Sequence, residues 1–201
     1  MSSRATRSGA LALALIAASS FAGAAPDILT RAEWGARAPV MEMERNEPAR
    51  LTIHHTATAP SPGRSLAEKL VSLQRFSQSE ERLADGRLKV AWADIPYHFY
   101  IDVNGNVGEG REAAFIGDTN TDYDLHGHIG IVLEGNFEEA PPAPVQVEAL
   151  VGLLASLAEE HGIPPGEIGG HRDYGQTLCP GKHLAALIPD IRRDVARALA
   201  R

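Results

Sequence analysis

Apolar residues recur along this chain with two periods. Leu66, Leu70, Leu73 and Phe76 fall at helical spacing behind Ser65 and Glu68, which together make a capping box, so a helix is predicted from about Ser65 to Glu80. Val147, Leu150, Val151, Leu154, Leu157 and Ala158 form a second stripe, opened by Pro144 and stopped at Gly162. A third stripe, Leu184, Leu187, Ile188, Ile191, Val195 and Leu199, predicts a helix over about His183 to Ala200, with Pro189 placed to kink it. The other runs are short. Leu51-Thr52-Ile53-His54-His55-Thr56 reads as a strand leading into the Pro/Ser/Gly-rich stretch from Ala59 to Gly63. Residues 97–102 and 107–109, joined through Asn104-Gly105, read as a hairpin, and Ile129-Gly130-Ile131-Val132-Leu133 as a central buried strand. Ile28 to Arg37 is a short amphipathic opening segment. Helices and strands thus alternate, and each amphipathic stripe must be buried, so the expected fold is α/β: a central sheet covered by helices.

The charge narrows the partners. The 26 acidic and 19 basic residues are dispersed, give a net charge of -7 and leave no basic stripe of the kind that neutralises phosphates, which argues against nucleic acid. They give no electrostatic reason to sit on an anionic membrane either, so the expected ligand is small and uncharged or of mixed charge.

The first residues set an address. Arg4 and Arg7, the apolar run from Ala10 to Ala18, and Ala22-Gly23-Ala24 read as a secretory signal over residues 1–25, the run being well short of the ~20 residues that cross a bilayer. Residues 26–201 would then be one exported domain, periplasmic or extracellular, with no stable membrane insertion after signal removal. The expected state is a monomer. With no cysteine beside the cleavage site, lipid attachment there is excluded.

Cys179 is the only cysteine. In an oxidising space an unpaired thiol is a reactive group, a buried inert one or a metal ligand. Of the eight histidines, His161 and His183 sit at helix ends in solvated or capping positions, and His126 and His128 flank Gly127 in a loop as a second-choice metal pair. His54 lies near the end of a strand with a Pro/Gly stretch beyond it, and His171 precedes Cys179 by eight positions with Gly175 between them. Two imidazoles and a thiolate are zinc ligands that leave a fourth position for water, as in catalytic sites. Spacing alone leaves that site and a set of structural histidines with a buried thiol as equal alternatives. Tyr97, on a strand, is either a core aromatic or a phenol donor.

The residues also carry a resemblance. Residues 53–58 (Ile-His-His-Thr-Ala-Thr), 92–99 (Trp-Ala-Asp-Ile-Pro-Tyr-His-Phe), 129–137 (Ile-Gly-Ile-Val-Leu-Glu-Gly-Asn-Phe) and 170–181 (Gly-His-Arg-Asp-Tyr-Gly-Gln-Thr-Leu-Cys-Pro-Gly) resemble the successive blocks of the type 2 N-acetylmuramoyl-L-alanine amidase family. That family includes the peptidoglycan recognition proteins and phage lysozyme-type amidases, and residues 31–37 are similar to the start of recognition-protein domains. The resemblance implies a mixed central sheet flanked by helices, with zinc in a surface groove. It implies His54, His171 and Cys179 as the Zn2+ ligands, Tyr97 as the catalytic tyrosine, and Thr177 at a position held by lysine or threonine among active members. His55, at a variable position, is groove lining, and with Thr56 and Asn120 is an expected substrate contact. The implied reaction is hydrolysis of the amide between the lactyl group of N-acetylmuramic acid and L-alanine in peptidoglycan or a muropeptide. Binding without cutting is the rival output, one in which the family typically replaces the cysteine. The chain departs from the pattern at Gly117-Asp118-Thr119-Asn120, where many recognition proteins have Gly-Ala-His, and it lacks the extra cysteines of animal members.

Overall fold

The computed structural model describes residues 26–82, 86 and 88–201. The expected signal segment, residues 1–25, lies outside them. In chain order the elements are β1 (Ile28–Leu29), α1 (Arg31–Trp34), β2 (Arg50–His55), α2 (Leu66–Ser77), β3 (Glu81–Arg82), β4 (Leu88–Lys89), β5 (Phe99–Ile101), β6 (Val107–Glu109), β7 (His128–Leu133), α3 (Pro144–His161), β8 (Ile168–Gly170), α4 (Lys182–Ala185) and α5 (Ile188–Leu199). Six strands form one mixed sheet in the order β1-β6-β5-β7-β2-β8, with β3 and β4 a separate ribbon. Within the large sheet β5 and β6 are antiparallel, and the other neighbours run parallel.

The strand pattern explains the layers. All six residues of β7 are buried, as expected of a strand covered on both faces. Ile129, Ile131 and Leu133 of β7 join Leu51 and Ile53 of β2 in a core completed by Leu150, Leu153 and Leu154 of α3 and by Ile188, Ile191 and Val195 of α5. Val132 points the other way, into a smaller core with Trp34, Leu66, Leu70, Ile95 and Tyr100. Because successive side chains of a strand alternate faces, Thr52 and His54 share the side of Val132, opposite Leu51, Ile53 and His55. His54 is paired in register with Val132.

The expected capping box and hairpin turn are present. Ser65 caps α2 through the Glu68 backbone, and Glu68 caps back onto Ser65, but the helix stops at Ser77 rather than Glu80. The hairpin bend at Asn104-Gly105 is fixed by Asp102, whose Oδ1 accepts from the N–H groups of Asn104 and Asn106 at 2.9 Å each. Gly105 has φ +83°, and a Cβ there would lie 2.6 Å from Val145 Cγ2. The C-terminal helix corrects the sequence reading. It is two helices, α4 and α5, and Pro189 lies in the first turn of α5, where its missing N–H costs nothing.

One buried ionic knot ties α2 to the ends of β5 and β7. Lys69 donates to Glu134 at 2.8 Å and to Asp102 at 3.4 Å, with all three side chains nearly inaccessible to solvent. Burial alone would push the Glu134 carboxyl up, but hydrogen bonds from Lys69, Ser61 and Val103 overcome it and hold it below the usual carboxylate range. Removing the cation leaves two buried carboxylates without their partner. Lys69→Ala is therefore expected to cost about 3–5 kcal/mol in urea unfolding, and a loss below about 1 kcal/mol, the level of an exposed pair, would contradict the account.

Candidate metal centre and groove

The site forms where β2 ends. His54 occupies the penultimate position of that strand, on the side of the sheet that Val132 shares, and the loops around residues 92–98, 117–125 and 171–179 close around it. Gly130 on β7 lies beside it, and a Cβ there would stand in ordinary van der Waals contact, 3.6 Å from His54 Nε2.

Each loop is held by buried polar groups. Asp94 accepts from the Ile95 N–H and Gln74 Nε2 at 2.8 Å each and pairs with Arg31 at 2.7 Å, which fixes the segment leading to Tyr97. Arg111 reaches the carbonyls of Ile95 at 2.9 Å and Asp94 at 3.1 Å and also pairs with Asp118, binding the second loop to the first. The 171–179 loop turns back on itself through the Arg172 N–H, which donates to the Cys179 carbonyl at 2.9 Å. Gly181 follows with φ +89°, and a Cβ there would collide with the Phe137 backbone, so this return demands glycine.

The fold-back brings the three expected ligands together. One donor atom from each of His54, His171 and Cys179 lies within 4.8 Å of the other two, the only such trio of metal-ligating groups among the described residues. Cys179 Sγ is 3.7 Å from His54 Nδ1, and the two imidazole rings are 4.7 Å apart between centroids. Nitrogen and sulfur ligands of a tetrahedral zinc, at ~2.0–2.3 Å from the ion, sit roughly 3.3–3.8 Å apart, and the 3.7 Å between Cys179 Sγ and His54 Nδ1 falls in that range. The electrostatics fit as well. Burial keeps both imidazoles neutral, lowering His54 well below its ordinary value and His171 to about 4, so their lone pairs are free for a metal. Burial pushes the Cys179 thiol up to about 12, and only a cation beside it would release its proton near neutrality.

The remaining expected residues share one groove of about 420 Å³. His55, Thr56, Tyr97, Asn120 and Thr177 line it together with the three ligands. The Tyr97 ring centroid is 5.1 Å from that of His54, and burial raises its phenol above the ordinary value, so it remains a donor. Thr177 Oγ1 accepts from the Cys179 N–H at 3.2 Å and thus also shapes the ligand loop. His55 points to the opposite face of β2, where its Nδ1 accepts from the Phe137 N–H at 3.2 Å, while its own N–H donates to Cys179 Sγ at 3.4 Å. Thr56 Oγ1 accepts from the Gly135 N–H at 3.0 Å, and Asn120 is exposed at the rim.

The second-choice pair does not form a site. His128 Nδ1 is 2.6 Å from Thr52 Oγ1, and exposed His126 bonds to Asp124 and Glu44, so each has its own partners. Trp92, Asp118, Thr119 and Thr121 also line the groove; the sequence named Trp92 only within a block and Asp118 and Thr119 only as a departure from the family pattern, and Thr121 not at all. Thr121 lies 2.6 Å from His171 Nε2, and no spacing pattern marks it, because the contact spans 50 residues.

Comparisons with known proteins give the family and the fold. Residues 44–182 match the family described as N-acetylmuramoyl-L-alanine amidase. The chain belongs to that family. It is 32% identical to peptidoglycan-recognition protein SD of Drosophila melanogaster over 80% of this chain and 83% of that protein. The crystal structure of that Drosophila protein superposes with a TM-score of 0.69, covering 81% of this chain and 93% of that one. A Drosophila PGRP-LB variant in complex with tracheal cytotoxin is similar at 30% identity and a TM-score of 0.64, over 80% of this chain and 92% of that one. The N-acetylmuramoyl-L-alanine amidase LysC of Clostridium intestinale, 23% identical, shares the fold with a TM-score of 0.66 over 85% of this chain and 98% of that one. The mixed sheet with flanking helices is therefore the fold of this amidase family. Among the described residues no helix is long and apolar enough to cross a membrane.

The floor of the site has a pH signature. His98 donates from Nε2 to the Phe115 carbonyl at 2.9 Å and accepts at Nδ1 from the Gly130 N–H at 2.8 Å, an arrangement only neutral imidazole can make. Burial lowers it to about 4. A folded value below the unfolded 6.5 contributes stability that is complete above pH 6.5 and is lost as pH falls toward 4. In the presence of chelator, His98 alone should account for on the order of 3 kcal/mol over that window. Urea titrations at stepped pH should show the decline, with a shallower slope in His98→Gln, and a wild-type stability unchanged between pH 7 and 4 would refute it.

Proposed function

We propose that this family member is a zinc-dependent N-acetylmuramoyl-L-alanine amidase, which hydrolyses the bond between the lactyl group of N-acetylmuramic acid and L-alanine in peptidoglycan. The observation that carries the reading is the retention of Cys179 with both histidines, their donor atoms close enough to share one ion at the floor of an open groove. Residues 26–201 act as a monomeric domain exported behind the signal at 1–25, in the periplasm or outside the cell.

His54, His171 and Cys179 hold the zinc, which when bound supplies Lewis acidity at the scissile carbonyl and an acidified water. The thiolate offsets part of the ion's charge, so protein donors matter more. Tyr97, protonated and beside His54, donates a hydrogen bond to the oxygen on which negative charge develops. Thr177, whose oxygen already accepts from Cys179, is left with its O–H to donate to the same centre. Thr56 and Asn120 contact the muropeptide along the groove wall, whereas His55, whose ring faces Phe137, serves the site through its backbone N–H to Cys179 Sγ. Several relatives carry the name of recognition proteins, which favours a second reading, muropeptide binding without cleavage. Fold does not decide between them.

Incubation of purified sacculi with the protein is expected to release new amino-terminal L-alanine, and the absence of that product with retained binding would favour recognition alone. Cys179→Ser should lose most of its zinc and activity while keeping most of the fold by circular dichroism. Full activity in a metal-free Cys179→Ser protein would end the mechanism. Loss of one oxyanion donor typically costs about 100- to 1,000-fold in turnover, so Tyr97→Phe should lower kcat far more than it raises KM. An unchanged kcat would return Tyr97 to a packing role.

A further inference from the structure

The loop from Thr119 to Tyr123 touches His171 from two sides. The Tyr123 ring centroid is 5.0 Å from the His171 ring, and Thr121 Oγ1 is 2.6 Å from His171 Nε2. Thr121 is in turn joined to Thr119, hydroxyl to hydroxyl at 2.7 Å and N–H to Thr119 Oγ1 at 3.1 Å. Both threonines line the groove. We propose that Thr121 is the positioning residue for His171: its hydroxyl accepts the Nε2 proton and thereby fixes the tautomer and ring orientation that leave Nδ1 for the metal. The inference rests on the zinc reading above and adds a residue to it.

The donor directions follow from valence. A neutral imidazole carries one proton, so if Nε2 donates to Thr121, the lone pair is on Nδ1. His54 also turns its Nδ1 toward Cys179, so the two histidines would present the same type of nitrogen. With Thr121 Oγ1 accepting from His171, the Thr121 proton is directed to Thr119 Oγ1. That oxygen then accepts both the hydroxyl and the N–H of Thr121, and its own proton is turned out toward the groove. A partner of this kind on a metal-bound histidine raises the ligand's basicity and removes its rotational freedom. Thr121→Val deletes the acceptor while keeping the shape.

Loss of such a partner typically weakens metal binding about 10- to 100-fold. In competition with a chromogenic chelator, Thr121→Val should bind zinc weaker by that factor, and Thr121→Ser, which keeps the hydroxyl, should recover most of the loss. Independently of any variant, the 15N spectrum of the zinc-loaded wild type should place the His171 proton on Nε2. Wild-type zinc affinity in Thr121→Val, even with activity lost, would assign Thr121 to the substrate and overturn the proposal, as would a proton found on Nδ1. A wild-type protein that takes up no zinc is a separate failure, because it removes the amidase reading itself.

Discussion

A thiol that burial pushes up to about 12, standing 3.7 Å from a neutral imidazole, becomes a thiolate only against a positive charge. Among the described residues no cationic side chain lines the groove, whose residues are otherwise imidazoles, hydroxyls, an amide, a carboxylate and aromatic or apolar groups. The imidazoles cannot supply the charge, because the same burial that raises the thiol lowers them. Three side chains with opposite acid-base tendencies are thus driven to one shared state, uncharged and full of lone pairs. A divalent cation would resolve that state by accepting two nitrogen lone pairs and displacing one proton from sulfur. The burial that makes the site demanding comes from the scaffold, chiefly Asp94, Arg111 and His98, which lock the groove loops onto the sheet.

Much of the scaffold could be read from the chain itself. The stripes of α2 and α3 have unbroken helical spacing and end signals that the structure uses, Ser65 with Glu68 at one start and Gly162 at one end. β7 was legible because a run of five apolar or glycine residues suits a strand covered on both sides. β8 was not, because Ile168-Gly169-Gly170 carries one side chain of any size and is held by pairing with β2. The C-terminal stripe misled for a different reason. α4 and α5 keep one apolar face across a break, so periodicity alone cannot find the interruption between Ala185 and Ile188.

The site was legible in another way. Spacing left the ligands undecided between a metal and plain structural roles, and the resemblance of the four blocks tipped the balance. Convergence of residues 125 positions apart, as for His54 and Cys179, is a property of topology that no local pattern encodes. The supporting shell was the hardest part. Asp94 and Arg111 act through several hydrogen bonds each and Thr121 through one to His171, and such contacts leave no period, composition or spacing behind.

The adjacent pair His54-His55 shows how the strand polices its own alignment. The two rings lie on opposite faces of β2, one beside the other ligands and one against Phe137. If β2 threaded one step out of line with β7, His55 would take the groove side and superficially replace its neighbour. The same misthreading would eject Leu51 and Ile53, now inaccessible, from the main core. A counterfeit centre is therefore disqualified by the oily side of the sheet, and quality control over the chemistry is delegated to residues that never meet a ligand.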